Sequence, residues 1–356
     1  TLTDQALESF EHDLDQRARS IQGHLTGISN NTLYLARLAS LTDLVEATRV
    51  GDAARSARRT REAADDFLRF AGAHPGIIQV RYLAEDGMER IRVDSRSGAA
   101  EIVAPDRRQS KAHRYYFSRT MELESGQVFV SDLDLNREFG AIEVPYQPVV
   151  RYATPLSFRD GRSAGIVVLN VSAQDVLDMV SEGARDGGIL ALVSQDGSYL
   201  AHPDPTRRWG GLADLAHGRG IGIDYPDLEP GLVSEGEGVV FHDGAPNPMA
   251  GTWERASAWI EGLFLGPGRV LVYRSVRPAG AHSETAWLLI RDEPRTTTFS
   301  SVWSFRLTAA GILGGAGVVA FLMAVALSRG LSAPILALTQ GVRRLGEGQL
   351  QGPIEV

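Results

Sequence analysis

Apolar residues recur every three or four positions at the start of the chain: Leu7, Phe10, Leu14, Ala18, Ile21, Leu25, Ile28, Leu35 and Leu38. That spacing predicts helix from residue 4 to about 48, with a near-heptad seam. Gly23 and Gly27 weaken it by about 1 kcal/mol each. The seam has two uses, packing on the chain's own domain or pairing with a second copy, and self-packing is favoured further along. A second helix is expected over 52–70, with Ala63, Ala64, Phe67 and Leu68 inward. Arg55, Arg58, Arg59 and Arg61 read as a solvated face, with Glu62, Asp65 and Asp66 as pairing partners.

After Pro75 the period shortens. Ile77 to Leu83 is strand-like, Asp86-Gly87 is a hairpin turn, and Met88 to Val93 is the return strand. A short helix is expected from His113 to Leu123. Strands follow over Gln127–Leu135, Pro148–Ser157 and Gly165–Ser172, then a helix over Asp175–Val180. The unit then recurs: Leu190 to Leu200 is again strand, Asp196-Gly197, strand. Further strands are expected near Val239–Phe241, Thr252–Ile260, Arg269–Ser275 and Trp287–Arg291. The matching order of elements predicts two copies of one five-stranded module.

Between Arg306 and Arg329 no residue is charged. Leu307 to Leu327 has the length and composition of a membrane-spanning helix, which needs about 20 apolar residues. Gly311 and Gly315 give it a small-residue face for close helix contact. Lys/Arg placement is nearly silent on orientation, with Arg291, Arg295 and Arg306 before the span and Arg329, Arg343 and Arg344 after it. Beyond it, Pro334 and the spacing of Leu338, Val342 and Leu345 predict a connector helix ending at Gly346-Glu347-Gly348.

Composition narrows the classes. With 356 residues, 43% of them hydrophobic, the chain has room for two or three folded domains. A net charge of -8 and a pI near 5.6 argue against a nucleic-acid binder. No cysteine is present, which excludes disulfides, thiolate metal sites and thiol catalysis. His202-Pro203-Asp204 and His242-Asp243 lack the spacing of a metal site, so no metal and no cofactor are expected. No strand–Gly-x-Ser-x-Gly–helix element offers a nucleophile, and no catalytic residue is assigned.

The stretch from His113 to Leu156, followed by Gly165 to Asp178, resembles the extracytoplasmic double Cache sensors, tandem PAS-like modules, of bacterial histidine kinases and diguanylate cyclases. The resemblance is most specific at Arg114-Tyr115-Tyr116-Phe117, at Phe129 to Asn136 and at Arg151-Tyr152-Ala153-Thr154-Pro155. Residues 328–356 resemble the first half of a HAMP linker. The resemblance implies an α+β chain: a long N-terminal helix carrying two stacked PAS-like modules with antiparallel sheets, then a transmembrane helix and a HAMP-type helix. The implied domains are a helical stalk at 1–75, a membrane-distal module at 76–185 and a membrane-proximal module at 186–304. The transmembrane helix takes 305–328, and the partial HAMP linker 329–356. It also implies an inner-membrane receptor with residues 1–306 periplasmic and the tail cytoplasmic. A first span is expected before Thr1, and an output domain after Val356.

In relatives that bind amino acids, an Arg and aromatic residues of the short helix meet an acid on the last strand that takes the ligand's amine. Arg114 and Tyr116 occupy the helix positions, and Asn170 stands in place of the acid. The expected ligand-binding residues are therefore Arg114, Tyr116, Ser131, Arg151 and Asn170. They are expected between the sheet and the 133–148 loop, around a small anionic ligand such as a carboxylate. The competing account pairs Arg114 with Asp132 or Asp134 and spends Asn170 on backbone. The function expected is periplasmic sensing and transmembrane signalling by a homodimeric two-component sensor histidine kinase. Diguanylate cyclase or chemoreceptor sensors are alternatives, and a membrane-anchored envelope enzyme or adhesion module is the alternative of another class.

Overall fold

The structure is a computed structural model. It describes residues 2–96, 98–138, 141–181, 188–209, 220–225, 236–242, 268–277 and 286–328, together with 335, 338–339, 342–343 and 346. The expected strand at Thr252–Ile260 lies outside the described residues.

Helix α1 runs Leu2–Ala36, α2 Ala39–Arg49 and α3 Ala53–Ala73. The single helix expected over 4–48 is thus two. Leu38 leaves helical geometry at φ -58°, ψ 132°, and α2 lies against α3. The break lets Leu41, Leu44 and Val45 bury on the same side as Ala63, Ala64 and Phe67. Ser40 Oγ donates to Asp66 Oδ2 at 2.5 Å, tying the two helices together. Asp52 caps α3 by accepting from the Arg55 N–H. The α1 seam is consumed within the chain, since Phe10, Leu14, Ile21, Leu25, Ile28 and Leu35 are all buried.

The first sheet holds β1 (Ile77–Leu83), β2 (Glu89–Arg96), β3 (Ala99–Ile102), β4 (Phe129–Val130), β5 (Asp134–Leu135), β8 (Pro148–Ser157) and β9 (Ser163–Ser172). Its order is β3-β2-β1-β9-β8-β4, with β5 also on β8, and every pairing is antiparallel. Strand β3 had no counterpart in the sequence reading, and the strand expected over 127–135 is two short pieces. The segment between β5 and β8 carries a hairpin, β6 (Arg137–Glu138) with β7 (Ala141–Ile142). Helix α4 (Tyr115–Met121) lies on one face of the sheet, against β8 and β9. Gly165 sits at φ +115° on β9, and a Cβ there would collide with the Leu83 carbonyl, so β1 and β9 meet closely only because it is glycine.

After α5 (Gln174–Ser181), the second sheet holds β10 (Ile189–Val193), β11 (Tyr199–Ala201), β12 (Glu237–His242), β13 (Arg269–Val276) and β14 (Trp287–Pro294). Its order is β11-β10-β14-β13-β12, again antiparallel. The five strands β2-β1-β9-β8-β4 have the same connectivity, so the two modules are copies and form separate sheets. The hairpin glycines match as well, Gly87 at φ +74° and Gly197 at φ +84°. Short 3-10 turns at Pro105–Arg107 and Pro205–Arg207 extend the repeat, each followed by an arginine that donates to a carbonyl, Arg108 to Val103 and Arg208 to His202.

Helix α6 (Ile221–Asp224) sits beside the second core, built on Tyr199, Tyr225, Leu271, Tyr273, Leu288 and Ile290. Helix α7 (Arg295–Thr298) follows β14, and α8 runs Ser300–Leu327. Ser304–Leu327 is long and apolar enough to cross a membrane. Of the expected connector, Ile335, Leu338, Thr339, Val342, Arg343 and Gly346 are described, and all are helical. The chain divides into two compact units, Glu8–Thr297 and Thr1–Leu7 with Thr298–Val356.

Candidate functional site

Residues paired directly across neighbouring strands share a face. In the first sheet one such row reads Asp94, Gln79, Asn170, Arg151, and the next reads Arg92, Arg81, Val168, Ala153. Val168 and Ala153 join Leu83, Ile166, Tyr116 and Phe117 in the apolar cluster beneath α4. The face covered by α4 is therefore apolar at one end and carries a buried polar strip at the other.

Four of the five expected residues come together there. Tyr116 is buried, and its hydroxyl accepts from Arg81 Nη1 at 3.3 Å. Arg114, half-buried at the start of α4, holds its guanidinium carbon 6.0 Å from the Tyr116 ring centroid. Asn170 accepts from Arg81 Nη2 at 2.7 Å and donates to Gln79 Oε1 at 3.0 Å. Its amide is thus spent on side chains of the strip and not on backbone. Arg151 is 3% exposed, and its Nη1 has no hydrogen-bond partner among the described residues. Asp134 stands 4.0 Å away. Ser131 has a different task. Its Oγ accepts from the Arg151 N–H and donates to the Asp132 carbonyl, fixing the end of β4 against β8.

The sequence reading missed the residues that β1 and β2 bring in. Arg81 and Glu89 are buried and stand 3.6 Å apart. Arg92 grips Asp94 through two bonds of 2.8 and 2.9 Å. Lys111 donates to Gln109 Oε1, and the Gln109 N–H donates to Glu89. Burial, and then the nearby Arg81 charge, hold the Lys111 ammonium below its usual value. Although half its surface is exposed, desolvation of the Tyr115 phenol pushes its pKa up, against the Arg151 charge. The available signal was the alternation Gln79, Arg81 within an otherwise apolar strand. It reads as a solvent face, yet α4 covers it.

The second module holds its own polar groups. Asp292, buried on β14, accepts from Tyr225 Oη at 3.0 Å and Arg269 Nε at 2.7 Å, and lies 3.1 Å from His242 Nε2. His202 Nδ1 accepts from the Asp204 N–H at 2.9 Å, and its Nε2 is buried without a partner among the described residues. Among the described residues no group of three His, Asp or Glu could hold a metal. Burial first, then Arg207, lowers the His202 pKa from its ordinary 6.5. Below about pH 6.5 the unfolded chain takes up a proton that folded His202 refuses, so stability falls with pH until the folded value is passed. Thermal unfolding from pH 5 to 7.5 should show a steeper acid loss in the wild type than in His202→Gln. Superimposable curves would remove His202 from the pH dependence.

Residues 35–246 match a family model described as "Bacterial histidine kinase, sensor domain". The chain belongs to this family of bacterial histidine kinase sensor domains. Similar solved structures share the sensor's fold. The extracellular domain of vpHK1S-Z8, assigned to a histidine kinase, aligns at a TM-score of 0.63 and 19% identity, over 85% of this chain and 95% of that one. A domain of a sensory box/GGDEF family protein from Vibrio parahaemolyticus gives 0.63 and 19%, over 84% and 99%. The periplasmic sensory domain of the Campylobacter jejuni chemoreceptor Tlp1 gives 0.52 and 14%, over 83% and 98%. No curated protein matches. Membership of this family, with one helix among the described residues that is long and apolar enough to cross a membrane, fits a membrane-anchored receptor.

Proposed function

We propose that the first module is the ligand-sensing part of a two-component sensor histidine kinase, and that it binds a small carboxylate between α4 and its sheet. The observation that carries this is Arg151, a buried guanidinium with an N–H that no group among the described residues accepts. Leaving such a donor empty is costly, and a carboxylate matches its fork. Arg114 stands by as a second cation over the Tyr116 ring, Asn170 orients the strip, and Ser131 fixes the strand that presents Arg151.

The wider reading keeps residues 76–185 as the membrane-distal module, 186–304 as the membrane-proximal one and 1–75 as a stalk. Residues 305–328 cross the inner membrane, with 1–306 periplasmic, and 329–356 open a HAMP-type connector toward a cytoplasmic output domain. Two copies associate through the span, where added Cβ atoms at Gly311 and Gly315 would meet open space. The α1 seam takes no part in this, being buried from Phe10 onward. Cysteines placed singly along 308–326 should crosslink between copies with helical periodicity, and flat reactivity would defeat the dimer.

Calorimetry on the detergent-solubilised chain with short mono- and dicarboxylates tests the ligand. At least one should bind, and Arg114→Ala should weaken it about tenfold, the loss of one charge-assisted contact. Unchanged affinity removes Arg114 from the site, and a chain that binds no carboxylate defeats the reading.

A further inference from the structure

Strand β14 leaves the second sheet at Pro294, which pairs with Arg269 at the start of β13. The same end receives α1. Phe10 meets Arg291 near this exit, while Gln22 accepts from the Arg277 N–H just past the far end of β13. Ser304, where the apolar segment begins, is ten positions after Pro294. Ten positions of fully extended chain reach at most about 35 Å, so this end of the module is held close to whatever surrounds that segment.

The exit end carries an exposed aromatic residue. Phe241 pairs with Val270 near the end of β12, the outer strand of the sheet, and is 49% exposed. The Arg295 guanidinium carbon lies 4.9 Å from its ring centroid. The backbone builds this position. The Arg295 N–H donates to the Gly268 carbonyl at 3.1 Å. A Cβ on Gly268, at φ +143°, would stand 3.2 Å from the His242 carbonyl and 3.4 Å from Arg295 Nε, so the glycine is the seat over which the arginine passes. Arg295 Nε is buried and finds no acceptor among the described residues. The two acids that precede it in the chain are engaged, Asp292 by Arg269 and Tyr225 and Glu293 by Arg291.

We infer that Phe241 and Arg295 form a lipid-contact patch for an anionic phospholipid, with the phosphate on the guanidinium and the upper acyl chain on the phenylalanine ring. A guanidinium fork matches phosphate oxygens. An aromatic ring beside a cation suits the boundary between headgroups and acyl chains, where the ring leaves water. The inference rests on the reading of Ser304–Leu327 as a membrane span, and adds a second contact with the bilayer on the folded sheet itself. Through Gly268 and the pairing of β12 with β13 and of β13 with β14, the patch links the lipid surface to the strand that leads into the span.

Photocrosslinking on the full chain tests this. Benzoylphenylalanine in place of Phe241 keeps an aromatic ring and reacts with whatever lies against it. In vesicles of equal parts phosphatidylglycerol and phosphatidylcholine it should give lipid adducts, with phosphatidylglycerol enriched about fivefold, the pull of one basic residue at an anionic surface. Arg295→Gln should bring the two lipids to equal yield, and Arg295→Lys should keep part of the enrichment. The same probe at Tyr34, about 36 Å further along α1 than Phe10, should give no lipid adduct, and one at Phe321 in the apolar helix should give them freely. Adducts at 321 with none at 241 overturn the patch and leave the span standing. No adducts at either position overturn both. Equal yields of the two lipids, unchanged by Arg295→Gln, overturn the role of Arg295, and lipid adducts at Tyr34 as abundant as at 241 overturn the patch as a distinct contact. A protein adduct at 241 in place of lipid assigns the face to a second copy of the chain and overturns the inference. Should Arg295→Gln fail to insert, the lipid ratio with Arg295 in place decides.

Discussion

Arg291→Ala is expected to destabilise the folded chain by about 3–5 kcal/mol, the usual cost of stripping one partner from a buried ion pair. Arg291 lies on β14, the last strand of the second sheet. Its Nε and Nη2 bond Glu293 Oε1 at 2.9 and 2.7 Å, its Nη1 pairs with Asp13 of α1, and its guanidinium carbon lies 4.6 Å from the Phe10 ring centroid. Glu293 is 1% exposed, so the alanine variant strands a carboxylate with neither water nor cation. Arg274 makes a parallel grip from β13, pairing with Asp15 and standing 3.9 Å from Glu11. Urea denaturation of the single variant should show the full loss. The double variant Arg291→Met with Glu293→Leu should recover most of it, because apolar replacements remove both charges together. A single-variant loss below about 1 kcal/mol, in the range of exposed pairs, would show that the contact is solvated in solution.

Arg151→Met should weaken carboxylate binding by ten- to a hundredfold, more than any other single change in the first module. A charged hydrogen bond contributes about 1.5–3 kcal/mol, and two guanidinium N–H groups can meet one carboxylate. Methionine keeps much of the stem's volume, so the fold should survive. Circular dichroism would confirm that, and calorimetry with a bound carboxylate would read the effect. Arg151→Lys should recover only part of the affinity, since an ammonium offers no fork. Equal affinities in the wild type and Arg151→Met would place the ligand elsewhere.

The repeated module was legible because Asp86-Gly87 and Asp196-Gly197 are hairpin turns with positive φ, and periodicity marks their strands without knowledge of neighbours. The strands Ile77–Leu83 and Pro148–Ser157 fall where apolar alternation and prolines placed them. The Pro105 and Pro205 turns were equally visible as proline followed within three residues by two arginines, and went unread. Strand β3 was not legible, because Ala99–Ile102 is short and largely exposed and owes its form to β2. The break at Leu38 has no glycine or proline to announce it and follows from the docking of α2 on α3. In the candidate site, Arg114, Tyr116 and Asn170 could be placed because motif residues carry them. Arg81, Arg92 and Glu89 could not, since a charged residue on a strand is buried only when something covers it. Here Arg81 meets Tyr116 of α4, 35 residues on, and Glu89 meets the backbone of Gln109, 20 residues on.

β14 occupies the middle of its five-stranded sheet, with β10 on one side and β13 on the other. Three successive residues near its end are gripped alternately, Arg291 and Glu293 on the α1 face and Asp292 on the opposite face by Arg269 and Tyr225. Sliding by a single residue would turn each of these charges to the wrong side. A pull along the chain at Pro294 therefore loads both ladders in shear, with their bonds sharing the force at once, whereas an edge strand can be peeled bond by bond. The segment that runs on into the apolar helix is seated like a bolt and not like a zipper, so tension or thrust on it displaces the whole sheet before it extracts the strand.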